Sequence, residues 1–209
     1  GAAMRVDIPP FNDIRVRRAA LMAIDFKAIS DSVFGGKGWI LAYPWDYAKE
    51  YAGLYVELDD PDIPESTREL YTFHPEKAKQ LLKEAGYPNG LKTVALITAA
   101  QVDDFAIYKD MWSKVGIDVT FDIRESAAIN SIRTAGQHPP LAARDRVPPA
   151  TFFRPAVFAE SPTSNPSRII DPFINEMRVK LRLTAVTKNY SAAIKETREL
   201  TKYVLAQAF

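Results

Sequence analysis

Hydrophobic residues recur at intervals of three and four along several segments of the chain, which is the spacing of one face of an α-helix. The first segment follows Asn12, a residue type that favours the position before a helix, and it continues to Gly35. Two more begin at Pro75 and at the Asp171-Pro172 pair, because proline is favoured in the first turn of a helix. The same spacing predicts further helices over residues 108–115, 126–134 and 193–208.

Two segments show the hydrophobic pattern of β-strands instead. Residues 92–98 contain an unbroken apolar run, which is typical of a strand buried on both faces. Residues 117–124 alternate hydrophobic and polar side chains, which is typical of a strand with one face in water. Because a helix lies between them, we expect the two strands to be parallel and joined by a right-handed crossover. The pattern therefore predicts an α/β fold.

Two long stretches lack a regular hydrophobic pattern. Residues 37–72 are rich in Trp, Tyr and Pro, and residues 137–170 contain seven prolines. A loop this long inside a compact domain is usually functional or wraps the surface, and the second stretch is either an extended connection or a segment ordered by a partner. Residues 1–4 are small and without pattern, and we expect them to be an added lead-in outside the fold.

Composition narrows the classes of function. The 209 residues carry 27 Lys and Arg against 26 Asp and Glu, whereas a dedicated nucleic-acid binder normally has a basic excess. The absence of cysteine excludes thiol catalysis, disulfides and cysteine-bound metals. We expect His74 and His138 at the surface without further metal ligands nearby, so the sequence predicts no metal site and no cofactor. No apolar run reaches the roughly 18 residues of a membrane span.

Three blocks of sequence carry a family resemblance. They are PFNDIRVRRAALMAID at residues 10–25, HPEKAKQLLKEAGYPNG at 74–90 and MWSKVGIDV at 111–119. In their order and separation they resemble the extracellular solute-binding proteins of family 5, the peptide-, dipeptide- and nickel-binding subunits of ABC importers. Within the first block, Arg15, Arg17 and Arg18 are expected on a solvated helix face and not at an anion site.

The resemblance implies an architecture and a set of partners. Family members are two-lobed and close around their solute like a hinge. The resemblance implies that residues 5–209 are a single lobe, the C-terminal one, truncated at both ends. Its fold would be a periplasmic-binding-protein-like (type II) α/β lobe, with helices flanking a small mixed sheet that contains a parallel βαβ unit. The implied partners are an oligopeptide or other small solute, the missing first lobe and the permease subunits. The implied location is periplasmic or extracellular, with the membrane reached only through a lipid anchor outside this chain.

Six residues in the two irregular stretches are candidate ligand contacts. Aromatic side chains with a polar group suit a cleft that holds varied solutes, and charged side chains can pair with the ends of a peptide. The aromatic residues could equally cover the core of the lobe or face the missing lobe, and the charged ones could form a solvated run. The candidates are Trp39, Tyr43, Trp45, Arg144, Asp145 and Arg146.

Two other classes of function compete with transport. An enzyme is not predicted, because Asp103, Asp104 and the carboxylates at 57–62 lack the spacing of a catalytic pair and no phosphate-binding loop or nucleophile elbow is present. The alternative function is a sensor or protein-interaction domain built on the same lobe. Sequence upstream and downstream would separate transport from sensing.

Overall fold

The computed structural model describes residues 1–38, 40, 53–143, 165–187 and 189–209. The described residues form an α/β lobe in which helices pack around one small sheet. The four strands are β1 (Ala2–Met4), β2 (Leu91–Ile97), β3 (Ile117–Ile123) and β4 (Leu141–Ala143), in the spatial order β1-β4-β2-β3.

The parallel pair predicted from the hydrophobic pattern is confirmed. β2 and β3 run parallel, with Leu91 opposite Ile117 and Ile97 opposite Ile123. β2 also pairs in parallel with β4, while β1 pairs antiparallel with β4. The sheet is therefore mixed, as expected.

The expectation that residues 1–4 lie outside the fold is wrong. Ala2 lies opposite Ala143 and Met4 opposite Leu141, which makes residues 2–4 an edge strand of the sheet. Ala3 and Met4 are both buried. A strand of three residues shows no recognisable alternation, so only its pairing with β4 identifies it.

Eight α-helices lie in the described part of the chain. Predicted helix starts are confirmed at Pro75 and Pro172, and the helix predicted over residues 126–134 is observed at those bounds. The helices are α1 (Ile14–Met22), α2 (Phe26–Phe34), α3 (Glu65–Arg68), α4 (Pro75–Glu84), α5 (Val102–Ser113), α6 (Ser126–Thr134), α7 (Pro172–Val186) and α8 (Tyr190–Ala206).

The first predicted helix is in fact two helices, and its cap is Asp13, not Asn12. The Asp13 side chain accepts a hydrogen bond from the backbone N–H of Arg15 at 2.8 Å. Asp25 starts α2 in the same way, by accepting from the N–H of Ala28 at 2.8 Å. A side chain that satisfies free N–H groups favours a new helix start, which explains the break at Asp25.

Most of the core lies between the sheet and α1, α4 and α5. Trp112 is buried in α5, and its indole N–H donates to the carbonyl oxygen of Ala20 in α1 at 2.9 Å. A second hydrophobic cluster joins α7 and α8 through Ile174, Leu181 and Leu200.

Arg17 does not lie on a solvated helix face, which corrects the expectation from sequence. Its side chain is buried, and its guanidinium donates to the carbonyl oxygens of Phe11 at 2.8 Å, Gln207 at 3.2 Å and Ala208 at 3.1 Å. Burial lowers the pKa of Arg17 to about 10. The residue joins α1 to the end of the chain.

His138 is buried as well, and not at the surface as expected. Its Nε2 lies 2.7 Å from the carbonyl oxygen of Pro166, which can only accept, so Nε2 carries the hydrogen. Among the described residues, its Nδ1 has no hydrogen-bond partner. Burial, assisted by the charges of Arg5, Arg168 and Arg133, lowers the pKa of His138.

Candidate functional site

The carboxyl ends of the parallel strands β2, β3 and β4 lie at one edge of the sheet. The antiparallel strand β1 begins at the same edge, since Ala2 lies opposite Ala143. In open α/β sheets, ligands bind in the crevice outside the carboxyl ends of the strands. We call this surface, formed by residues 98–101, 124–125 and 143, the carboxyl edge.

The chain leaves β2 through a tight polar turn. The side-chain oxygen of Gln101 accepts a hydrogen bond from the backbone N–H of Thr98 at 2.9 Å and from its hydroxyl at 3.0 Å. This capping box fixes the short 3₁₀ turn Ala99–Gln101 that leads into α5. Neither bond uses the amide nitrogen of Gln101, which remains able to donate to a ligand.

The chain leaves β3 at a charged residue. Arg124 donates from Nε to a carboxylate oxygen of Asp122 at 2.6 Å, and its backbone N–H donates to the carbonyl oxygen of Ile97 at 3.0 Å. The ion pair holds the side chain while leaving it 57% exposed. Helix α6 starts next, and its N-cap residue Glu125 makes no side-chain capping bond. The first N–H groups of α6 therefore face this edge with a partial positive charge.

The carboxyl edge has the chemistry of a binding surface. A guanidinium, an amide and free helix N–H groups can bind carboxylate and carbonyl oxygens such as those of a peptide. Within the described ranges, no three His, Asp or Glu side chains are grouped to hold a metal ion. No helix in those ranges is long and apolar enough to cross a membrane. The other histidine, His74, lies at the start of α4, with Nε2 2.8 Å from the hydroxyl of Thr72.

All six candidate contacts predicted from sequence lie outside the described residues. These are Trp39, Tyr43, Trp45, Arg144, Asp145 and Arg146. The structure does describe the residues that flank these candidates. Gly38 donates its backbone N–H to the hydroxyl of Ser30 at 3.1 Å, and Ile40 packs against the main core. Ala143, which directly precedes Arg144 in sequence, is the last residue of β4 at the carboxyl edge.

Gln101 and Arg124, which lie on the carboxyl edge, were not among the residues predicted from sequence. The signal was present, because both follow the two strands whose positions and parallel orientation were predicted correctly. The rule that ligands bind beyond the carboxyl ends of parallel strands points to these positions. The six candidates predicted from sequence rest on the aromatic cluster and the charge run of the long loops, and their roles stay predictions.

Comparison with known proteins gives the same architecture. Residues 1–150 match the family model for bacterial extracellular solute-binding proteins, family 5 middle region. A protein of Brucella ovis named as an ABC transporter peptide-binding protein is 30% identical over 207 residues, covering 91% of this chain and 34% of that relative. Heme-binding protein A of Haemophilus influenzae is 38% identical over 96 residues, covering 44% of this chain and 14% of that protein.

The fold is also that of a solved binding protein. The periplasmic binding protein DppA of Helicobacter pylori, solved with the peptide STSA, superposes on 99% of this chain with a TM-score of 0.75 at 22% identity, and the match spans 39% of DppA. The chain thus spans about a third of the length of the Brucella relative. The family match over residues 1–150 and the identity to that relative along most of the chain lead to one conclusion. The chain belongs to family 5 of the bacterial extracellular solute-binding proteins.

Proposed function

We propose that the protein containing this chain is the solute-binding subunit of an ABC importer and that it takes an oligopeptide or a similar small solute. The observation that carries the proposal is the family match over residues 1–150 together with 30% identity to a peptide-binding relative along 91% of the chain. The polar carboxyl edge is the surface that would bind the solute, because its hydrogen-bond donors suit the oxygen atoms of a peptide.

The chain would act as one lobe of a two-lobed trap. It spans 34% of the Brucella relative and 39% of DppA, so most of such a protein lies outside it. We assign residues 5–209 to the C-terminal lobe and add β1 to that lobe because residues 2–4 complete its sheet. The first lobe would close over the carboxyl edge from the other side.

The ligand contacts of this lobe would come from two sources. Gln101 and Arg124 lie on the carboxyl edge, held by the capping box and by the ion pair to Asp122. We also propose contacts from two groups of loop residues. One of these groups begins at Arg144, which directly follows β4 at this edge. They are the aromatic group Trp39, Tyr43 and Trp45 and the charged group Arg144, Asp145 and Arg146.

Members of this family are solute-binding transport proteins, not enzymes, and they work outside the cytoplasm. We extend both properties to this protein and propose that it carries no catalytic activity, delivers its solute to permease subunits and needs no cofactor. An attachment to the membrane would come from a lipid anchor outside these 209 residues.

The proposal is tested by titrating a library of short peptides into the full-length protein and into two single variants. Arg124→Gln removes a charge beyond the carboxyl end of β3, and we expect it to weaken peptide binding about tenfold or more, because charged hydrogen bonds are the strong ones. Lys92→Gln is the matched control: it removes one positive charge near the amino end of the neighbouring strand β2, with Lys92 exposed and paired in register with Asp118. We expect unchanged binding in that variant.

A third variant tests the loop residues. We expect Trp45→Ala combined with Arg144→Ala to weaken binding further. If the full-length protein binds no peptide or related solute, the transport proposal is wrong. If it binds peptide equally in all variants, the function stands and the site has been misplaced. Ligand-dependent capture of a receptor domain in place of a permease would favour the sensor alternative.

A further inference from the structure

The turn between α4 and β2 contains an Asn-Gly pair. Of the six asparagines in the sequence, only Asn89 is followed by a glycine. Its side chain is exposed, and within the described ranges its amide forms no hydrogen bond. Because Gly90 has no Cβ atom to shield its backbone nitrogen, that nitrogen can approach the Cγ carbon of Asn89 when the backbone rotates. The pair is therefore a candidate site of covalent change.

The reaction open to such a pair is deamidation, which is intramolecular and needs no enzyme. The nitrogen of Gly90 loses its proton and forms a bond to Cγ of Asn89, while the bond from Cγ to the side-chain nitrogen breaks and ammonia leaves. Water then opens the resulting succinimide ring at one of its two carbonyl groups. One opening gives aspartate. The other gives isoaspartate, in which the backbone runs through Cβ and Cγ and is longer by one carbon atom.

The fold keeps this turn closed. The N–H of Gly90 donates to the carbonyl oxygen of Tyr87 at 3.1 Å, and the φ angle of Asn89 is not positive, so the segment with Pro88 at its second position is a type I turn. In that turn ψ of Asn89 is about 0°, which rotates the Gly90 nitrogen away from Cγ. Deamidation therefore requires the turn to open, and an exposed turn opens far more easily than the core unfolds.

The two ends of the turn are fixed to the rest of the lobe. The N–H of Tyr87 donates to the carbonyl oxygen of Leu82 at 2.8 Å, and the N–H of Leu91 donates to that of Gly116 at 2.9 Å. Gly90 itself packs against Gly116, where an added Cβ atom would lie 2.4 Å from the carbonyl oxygen. An extra backbone atom just before Gly90 would therefore push this glycine into the backbone that precedes β3.

We propose that Asn89 is a deamidation site and that its isoaspartate product loosens the pairing of β2 with β3. Aspartate at the same position adds a charge to an exposed side chain but leaves the backbone length unchanged, so only the isoaspartate form should destabilise the lobe. The proposal is independent of the solute site. The turn lies at the amino ends of β2 and β3, whereas the carboxyl edge lies at their other ends.

The test is peptide mapping by mass spectrometry of the 209-residue chain during incubation in mildly alkaline buffer. We expect the mass gain of deamidation at Asn89, appearing faster at higher pH because the attacking nitrogen must lose its proton. Asn89→Gln should abolish the change at this position, since the longer side chain must close a larger ring.

Asn130 is the internal control for exposure. Its side chain is exposed as well, but it lies inside α6, where helical hydrogen bonds hold the backbone, and Ser131 follows it in place of a glycine. We expect no deamidation at Asn130, and Asn130→Gln should leave the rate at Asn89 unchanged.

Two further measurements test the roles of the turn and of the sheet. In urea that unfolds the chain, Asn89 should deamidate about fivefold faster than in the folded chain, the factor that corresponds to one ordinary hydrogen bond. The isoaspartate form, separated by chromatography, should unfold at a lower urea concentration than the unmodified chain. Asn89→Asp is its matched control, because it carries the same added charge without the extra backbone atom, and it should unfold like the unmodified chain.

Three results would overturn the proposal. The first is an Asn89 that does not change, or an Asn130 that changes as fast. The second is a folded chain in which Asn89 deamidates only as fast as global unfolding permits, which would mean that the turn does not open by itself. The third is an isoaspartate form as stable as Asn89→Asp, which would mean that the turn absorbs the longer backbone.

Discussion

Arg17 shows how a single side chain can hold together parts of the chain that are far apart in sequence. Its guanidinium donates to carbonyl oxygens before α1 and at the end of α8, and it stacks over the ring of Phe209 with 5.5 Å between the guanidinium carbon and the ring centre. In sequence it belongs to a run of three arginines among four residues, which normally indicates a solvated face. Burial of one member of such a run depends on the distant carbonyl groups, so it could not be predicted from the run itself.

Replacing Arg17 should therefore destabilise the lobe. We expect Arg17→Met to lower the free energy of unfolding by about 3 kcal/mol, because buried carbonyl groups lose charged donors. Arg15→Met is the control: the Arg15 side chain is half exposed in its ion pair with Asp13, and its loss should cost much less than the loss of Arg17. Urea unfolding measures both. Equal losses in the two variants would contradict the role assigned to Arg17.

The buried His138 should make stability depend on pH. The pKa of His138 in the folded chain is lowered from 6.5. Just below pH 6.5, His138 is therefore protonated more in the unfolded chain than in the folded one. The stability that its neutral form contributes is present above about pH 6.5 and is lost as the pH falls toward the folded pKa. We expect the free energy of unfolding to fall as the pH drops below 6.5, with a contribution from this group of at most about 1 kcal/mol over the first pH unit.

Two variants isolate the His138 contribution. His138→Gln should remove that part of the pH dependence, and His74→Gln, which changes the chain's other histidine, should leave it in place. Urea titrations at pH 7.5 and 5.5 give the comparison. An identical pH dependence in the unmodified chain and His138→Gln would show that His138 titrates alike in both states.

Among the elements, the turn before β2 depends on two glycines in contact. Gly90 and Gly116 precede the paired strands β2 and β3, and a Cβ atom added to Gly90 would lie 2.4 Å from the carbonyl oxygen of Gly116. That oxygen accepts the N–H of Leu91 at 2.9 Å, which sets the register of the two strands. Neither backbone segment can move without disturbing that register.

We expect Gly90→Ala to destabilise the lobe by roughly 3 kcal/mol, from its positive φ together with the backbone clash. Gly86→Ala is the matched control, because Gly86 also has positive φ but has open space around its missing Cβ. Its cost should be about 1 kcal/mol, from conformational strain alone. Thermal or urea unfolding distinguishes the two, and a similar cost at both glycines would refute the clash.

Elements were predictable where local chemistry determines them. Pro75 and Pro172 favour helix starts whatever their tertiary surroundings. The alternation of hydrophobic and polar residues in β3 arises because one face of that strand is exposed to water. β1 and β4 escaped prediction because each has three residues and is defined by its partner. The break at Asp25 was missed because hydrophobic residues continue on both sides of it, with Ile24 buried in the main core and Ile29 packed against the same core.

For the whole molecule, the fold of the lobe predicted from sequence is confirmed, whereas the six loop residues proposed for its site stay a prediction. The parallel crossover and the order of the family blocks follow from patterns within the chain. A binding cleft between lobes depends on residues from both, and this chain spans 34% of its Brucella relative. The six loop residues were predicted as ligand contacts from the composition of the loops. Gln101 and Arg124 can be recognised only from the parallel direction of β2 and β3, which they follow in the chain.

The proposed closure between two lobes also predicts a difference in affinity. A trap that buries its solute on two sides loses half of its contacts when one lobe is missing, so the 209-residue chain should bind a given peptide about a hundredfold more weakly than the full-length protein. Calorimetric titration of the same peptide into both measures the ratio. Equal affinities would mean that one lobe supplies the whole site.

The pairing of the first strand with β4 also affects how the lobe forms during synthesis. Arg5, just after β1, donates to the carbonyl oxygen of His138, 133 residues further along the chain. At about 5–20 residues per second, a ribosome takes roughly 7–27 seconds to make that stretch, and β1 has no sheet partner until then. The contact of Arg17 with Ala208 spans 191 residues and forms later still. A nascent chain released before β4 would therefore expose its first strand and one side of β2, and both would be open to pairing with another chain.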